Sequence, residues 1–436
     1  MLFVPIIVAV LAFGIVTGTT WFSISVVALL LVFRISGYFS KNWSDHVSVV
    51  RTVSSKEIEI GDRLSVGLRV TNNSNQPIPW VLLEDSILKS VLYSPHRSLE
   101  LVGSNIKLYE LGAGQSGLIA YDLKAARRGY FRIGPTLLET GDLLGLNRQH
   151  RVVAGADYVL VLPKLIPIQG IELTSRRALG DLRISDRSME DPSQMAGVRE
   201  YRMGDPLNRV HWKATARTGQ LHTRVFEPTC MQGAMILMDL NVDTNPEEHE
   251  PVRTDLAVTA AASIAHGYYL LNQPCGFICN GIDMAERYSF QELTGDYTDR
   301  ESIRNTVQRE LKNERLRPIV VEPGNGVETF SQIHRMLARV GRSQGLSFFE
   351  LVQEVRSKLP RHLTVIAMLQ KVSEESVIAL AMLRKQGYSV VVILNHTADH
   401  EGVEMASRLV SQRLSVHSLM DEASIPFVCQ NLLAMR

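Results

Sequence analysis

A chain of 436 residues is longer than a single hydrophobic core usually fills, so two or three domains are expected. Its 46 basic and 45 acidic side chains leave a net charge of +1, which excludes a polyanion-coating protein and a disordered acidic chain. Apolar residues make up 45% of it, a globular share, but they are unevenly spread.

Residues 1–33 carry no charged side chain. A weak break at Gly18-Thr19-Thr20 precedes Trp21 in the run "LFVPIIVAVLAFGIVTGTTWFSISVVALLLVF". As one helix this run would be about 50 Å long, against roughly 30 Å of hydrocarbon. As a hairpin, each arm would span about 20–25 Å, which bilayer thinning can accommodate. The expectation is therefore a transmembrane hairpin over residues 1–40. A signal peptide is disfavoured, since no basic region precedes the run and no A-x-A site follows it. Arg34, Lys41 and Arg51 then place the remainder in the cytoplasm by the positive-inside rule. Localisation in the inner membrane, as a multi-pass protein, follows.

Over residues 41–170 the apolar period is two. "RLSVGLRVTNNSNQPIPW" alternates Leu64, Val66, Leu68 and Val70, then stops at an Asn/Ser/Pro cluster. Further short strands with Gly and Pro turns predict an immunoglobulin-like β-sandwich. Residues 171–230 form a joining segment containing "VREYRMGDPLNRVHWKATARTGQLHTRVFE". It is too broken by Gly204, Pro206 and Gly219 for one helix. Its mixed charges with Tyr201, Trp212 and Phe226 suggest a packed structural seam between domains, with Trp212 buried. The alternative, a phosphate-tracking strip, is opposed by the interleaved Glu200, Asp205 and Glu227.

From 231 to 436, apolar strands such as "AMILMDL", "CGFICNG", "HLTVIAML" and "YSVVVILNH" alternate with amphipathic helices. Strands this apolar are buried on both faces, which predicts a doubly wound, mostly parallel α/β domain. Of the four cysteines, Cys275 and Cys279 share one strand, about 13 Å apart and beyond disulfide reach. Buried free thiols in a reducing compartment are expected. No Walker loop or nucleophile elbow is present.

Open α/β sheets bind ligands at the carboxyl ends of their strands. The first strand ends in "LMDLNVDTNPEE", setting Asp239, Asn241 and Asp243 on one loop with oxygen donors at alternate positions. Hard cations such as Mg²⁺ use such oxygens. A polar loop whose Asp and Asn cap the turn is the competing reading.

The segment "GVREYRMGDPLNRVHWKATARTGQLHTRVFE" resembles the signature of the bacterial membrane proteins of domain-of-unknown-function family fifty-eight. The matching positions are Gly197, Arg199, Tyr201, Gly204, Asp205, Arg209, His211, Trp212, Lys213, Ala216, Arg217, Gly219, Leu221, Arg224, Phe226 and Glu227. Upstream, "RRGYFRIGPTLLETGDLLGL" is similar to a second family pattern through Arg128, Gly129, Tyr130, Gly134, Pro135, Asp142, Gly145 and Leu146, with Leu143 where that pattern has proline. The resemblance implies a membrane-anchored sandwich followed by a von Willebrand factor A-like domain. It also implies a MoxR-type AAA+ ATPase, or another von Willebrand A-like protein, as partner. It further suggests a degenerate metal-ion-dependent adhesion site at Asp239, Asn241, Asp243 and Thr329. Asn and Asp replace its serines, and no Asp follows "VIAML".

The functional expectation is a cytoplasm-facing, membrane-anchored, non-catalytic scaffold or adaptor. It would act with the ATPase in assembly or maturation of other proteins, with no cofactor and no nucleic acid. A Mg²⁺-dependent enzyme or adhesion module on the Asp239 loop is the alternative. A binder of nucleic acid or anionic lipid through the 199–224 arginines is a third.

Overall fold

The structure is a computed structural model that describes residues 12–14, 16–18, 20–142, 147–167, 189–203, 205, 207–229, 233–289, 317–396 and 399–434. The chain divides into one unit of residues 1–163 with 284–312, and a second of residues 164–283 with 313–436.

In the first unit one uninterrupted helix, Thr20–His46, carries the apolar run directly into the strand Val47–Val53. The expected boundary at residue 40 thus falls inside a helix. Gly18 has φ +72°, a left-handed turn just before the helix begins. Among the described residues one helical segment, Ile24–His46, is long and apolar enough to cross a membrane, and only 6% of its apolar window is buried. The other arm of the expected hairpin falls largely in residues 1–11, outside the described residues. What is established is one apolar N-terminal helix.

The alternation of "RLSVGLRVTN" becomes strand Arg63–Asn72, whose Leu64, Val66, Leu68 and Val70 are buried. Among the described residues it lies in a four-stranded sheet between Val47–Val53 and Ser116–Ala125, with Leu99–Gly103 at the far edge. The facing sheet runs Glu57–Glu59, Asp157–Leu162, Gly129–Gly141, Ile78–Ile87, Ile106–Leu111, and Arg148–Ala154 also pairs with Gly129–Gly141. Inward residues of both sheets share one core.

A polar knot crosses that core. Arg51, from the first sheet, is ion-paired through its guanidinium to Asp85 of the second, with side-chain exposures of 3% and 0%. Tyr121 of the first sheet donates to Asp85 at 2.6 Å. Thr136 of the second donates to it at 3.0 Å. Gly134, at φ +91°, lies where any Cβ would collide with the Arg51 guanidinium, which explains that glycine of "RIGPT".

A second tie fixes the helix. The Asp142 carboxylate accepts from Ser36 Oγ at 2.7 Å, and from the backbone and side-chain nitrogens of Asn147 at 3.1 and 3.0 Å. The Asp142 carbonyl accepts from Trp80 Nε1 at 3.0 Å. Asp142 of the second sequence pattern therefore clamps helix to sandwich, while Tyr130 stacks parallel on Tyr158 at 5.4 Å. Gly145 and Leu146 of that pattern lie outside the described residues.

In the second unit, the described strands form a six-stranded sheet ordered Ile319–Gly324, Cys275–Cys279, Ala234–Met238, Thr364–Leu369, Ser389–Asn395, Ser415–Leu419. All neighbours are parallel except the first edge pair. Helices Val252–Leu270, Val327–Arg339 and Ile425–Ala434 bury Ile236, Phe277 and Ile366 on one face. Helices Phe348–Val355, Glu374–Lys385 and Asp399–Ser411 bury Leu237, Ile278 and Val365 on the other. Both faces being covered is why these strands read as continuous apolar runs. Cys275, Cys279 and Cys429 are buried free thiols, and burial pushes Cys275 and Cys429 up to about 12. Cys230 lies outside the described residues.

Removing the carboxylate of the sandwich knot should be severe. Asp85→Ala leaves the buried Arg51 guanidinium with only the half-exposed Asp157 as carboxylate partner, and a loss of about 3 kcal/mol is expected. The surface change Lys124→Ala should stay within about 0.5 kcal/mol. Equilibrium unfolding of the two variants in detergent checks this, and equal stabilities would refute it.

Candidate functional site

The chain enters the α/β sheet at the central strand Ala234–Met238, moves to one side for Cys275–Cys279, and later to the other for Thr364–Leu369. The switch point therefore lies at the carboxyl ends of Ala234–Met238 and Thr364–Leu369, where ligands of such sheets bind. Asp239 stands there, 3% exposed, with Asn241 6% exposed.

The Asp239 carboxylate already has partners. One oxygen accepts from Asn280 Nδ2 at 2.8 Å and from the Asn241 backbone N–H at 3.2 Å. The other accepts from Thr244 Oγ1 at 2.7 Å. Asn245 Nδ2 donates to the Asp239 and Asn241 carbonyls at 3.2 and 2.8 Å. Asn241 Nδ2 in turn reaches the carbonyls of Gly345 and Leu346 at 3.2 and 3.1 Å. Burial pushes the Asp239 carboxyl up, while the Asn280, Thr244 and Asn241 donors pull it back.

The four residues expected to ligate a cation are not brought together. Asp243 is exposed, and its backbone N–H donates to Asn241 Oδ1 at 2.9 Å, an Asx turn. Thr329 lies against Gly324, and Gly324 pairs with Cys275, which pairs with Ala234. It sits at the amino edge of the parallel strands, across the sheet from Asp239. The strand before it, Ile319–Gly324, runs antiparallel to its neighbour, which apolar periodicity does not reveal. Among the described residues no group of three or more His, Cys, Asp or Glu side chains is placed to hold a metal. The Asp239 carboxylate and the Asn241 amide oxygen already accept protein hydrogen bonds, and these residues form a structural turn.

Beside this loop a cleft of about 280 Å³ is lined by Gln370, Lys371, Asn395, His396, His249 and Arg408, among others. The Gln370 amide is buried there, with neither polar atom hydrogen-bonded among the described residues. Sequence reasoning missed Asn280, Thr244 and Asn245. Asn280 ends "CGFICN", the strand beside Asp239, and carboxyl-edge position was the signal that could have found it.

The signature segment is a hairpin of Met189–Glu200 against His222–Thr229, antiparallel, whose connection carries the helix Trp212–Thr218. His211 caps that helix by accepting from the Ala214 N–H at 3.0 Å. Gly219 ends it at φ +77°. Arg199 grips Asp205 with two bonds of 2.8 and 2.7 Å. The Tyr201 hydroxyl donates to the Asp205 carbonyl at 3.1 Å. These signature residues shape the hairpin itself. Arg209 is half-buried, and Lys213, Arg217 and Arg224 are exposed. Gly204 and the side chains of Phe226 and Glu227 lie outside the described residues. The packed-seam expectation fails at its test residue, for Trp212 is 69% exposed.

Residues 197–308 match the model of a family described as protein of unknown function DUF58. The uncharacterized protein YeaD of Bacillus subtilis (strain 168) is 26% identical over 217 residues, 50% of this chain and 51% of that protein. The chain thus spans about half the length of the curated relative it matches. Among solved structures, the CARDB domain of PF1109 from Pyrococcus furiosus covers 27% of this chain and 87% of its own, at 13% identity and a TM-score of 0.19. Proximal thread matrix protein 1 from the mussel byssus covers 46% and 47%, at 7% identity and a TM-score of 0.30. Neither the matched family nor the relative carries an enzymatic description.

Two measurements test this geometry. Mg²⁺ or Mn²⁺ should leave the melting temperature unchanged, whereas a site at a hundredfold its dissociation constant would add about 2.7 kcal/mol. A rise abolished by Asp239→Ala would overturn that reading. Trp212→Ala should change stability by no more than about 0.5 kcal/mol, as for an exposed residue, against the roughly 3–5 kcal/mol of a packed tryptophan. Thermal unfolding of that variant decides between them.

Proposed function

We propose that the protein is a non-catalytic scaffold or adaptor of the bacterial inner membrane, with its apolar N-terminus forming two short spans and its soluble part in the cytoplasm. Its partner is a MoxR-type AAA+ ATPase or another von Willebrand A-like protein, and its C-terminal unit is itself of von Willebrand A type. Together they act in assembly or maturation of other proteins.

The observation behind this reading is the outer surface of the signature hairpin. Met203, Leu207 and Trp212 are 103%, 70% and 69% exposed, beside the exposed cations Arg202, Lys213, Arg217 and Arg224. Aromatic and arginine residues at a solvent face are the usual anchors of protein interfaces. At the switch point, by contrast, the acidic group has its hydrogen bonds filled, which suits a rigid platform better than a reaction. The alternative of a Mg²⁺-dependent enzyme or adhesion module would need Asp239 to exchange three protein donors for a cation.

Full-length tagged protein, extracted from its own membranes in mild detergent, should recover a MoxR-type ATPase identified by mass spectrometry. The combined change Trp212→Ala, Lys213→Gln and Arg217→Gln should lower that recovery more than tenfold, as loss of a hot spot does. Undiminished recovery removes the hairpin as docking surface. Absence of any AAA+ ATPase from the wild-type eluate removes the partner.

A further inference from the structure

A cleft of about 830 Å³ opens along the last turns of the apolar helix, lined by Arg34, Tyr38, Lys41, Asn42, Asp45 and Asn147 among others. We infer that this cleft holds the headgroup of an anionic phospholipid, its phosphate seated between Arg34 and Lys41. The inference rests on the membrane reading of the N-terminal helix and goes beyond it, by assigning a lipid class and the residues that select it.

The helix Thr20–His46 has two different faces in its last turns. Ser40 and Ser44 are buried, Trp43 packs against the sandwich core, and Ser36 is held by Asp142. Arg34, Tyr38 and Lys41 are exposed. Their spacing of four and then three residues puts them on one stripe. The clamp therefore holds the helix by one side and presents this stripe on the other, in fixed geometry.

Depth agrees with a headgroup. The uncharged run ends at Phe33, so Arg34 stands at the hydrocarbon boundary. The polar layer beyond is about 5–7 Å thick on each side of a bilayer. Tyr38 lies about 6 Å further along the helix axis and Lys41 about 10 Å, less when the helix tilts. Tyrosine favours this layer, and lysine can extend back along it.

Charge selects the lipid. Asp45, the carboxylate lining the cleft, is paired with Arg151 at 3.5 Å. The other charged lining residues are cationic. A phosphodiester with an uncharged glycerol head meets a guanidinium, an ammonium, a phenol and the amide of Asn42. A choline head would bring a third cation against Arg34 and Lys41.

The test uses the full-length chain in vesicles of phosphatidylcholine alone, or of phosphatidylcholine mixed with phosphatidylglycerol. Flotation reports membrane association, and mass spectrometry counts the lipid retained after gentle detergent extraction. Phosphatidylglycerol should be retained in preference, and Arg34→Gln and Lys41→Gln should each weaken that retention about fivefold. Lys124→Gln, on an exposed sandwich position, should leave it unchanged. Equal retention of both lipids, or retention indifferent to Arg34 and Lys41, overturns the inference while leaving the membrane reading intact. Displacement of phosphatidylglycerol by excess inorganic phosphate would assign the cleft to free phosphate and overturn its lipid assignment. A chain that floats with neither vesicle overturns the membrane reading and this inference with it.

Discussion

Asp85 lies wholly inside the sandwich, where a carboxylate is tolerated only if its surroundings replace the water it has lost. Arg51 and Tyr121 reach it from one sheet and Thr136 from its own. Arg51 also reaches Asp157 at 3.1 Å. Burial and the neighbouring carboxylate push the Tyr121 phenol far up, so it stays a donor. Apolar contacts alone hold two sheets together with little preference for their relative position. Directed bonds to one buried acceptor fix it. Fixing the sheets also fixes Gly129–Gly141, which ends at the aspartate clamping the helix.

The sandwich and the parallel sheet were legible because period two and unbroken apolar strands report which faces are buried. Strand Arg63–Asn72 and the strand pair Ala234–Met238 and Thr364–Leu369 are instances. The antiparallel direction of Ile319–Gly324 was not legible, since periodicity is blind to direction. Thr329 was grouped with Asp239 by the family resemblance alone, and the reversed strand before it places it at the opposite edge of the sheet. The helix boundary was missed for another reason. After Phe33 the sequence turns polar, and polarity marks the end of an apolar environment rather than the end of a helix. Trp212 was misjudged because aromatic residues among paired charges look alike in a buried seam and on an exposed hairpin.

The Asp239 loop carries a more general point about acidic clusters. Three carboxylate or amide side chains at alternate positions suit a cation and a tight turn equally well. The choice depends on groups distant in sequence: Asn280 supplies one donor, and the carbonyls of Gly345 and Leu346 engage Asn241. A loop satisfied in this way is rigid and presents a fixed rim at the switch point, with the neighbouring Gln370 amide lacking a hydrogen bond among the described residues.

The absence of a hinge between Thr20 and Val47 has a mechanical consequence. A flexible linker would let the folded module tumble while its anchor wandered in the bilayer. In a chain anchored as proposed, rocking of the helix would turn the module as a lever. A tilt of about 20°, ordinary for a membrane-spanning helix, would swing the far end of a sandwich roughly 40 Å long by about 15 Å. Whatever fixes that tilt would thereby also set how high above the lipid surface the sandwich is carried.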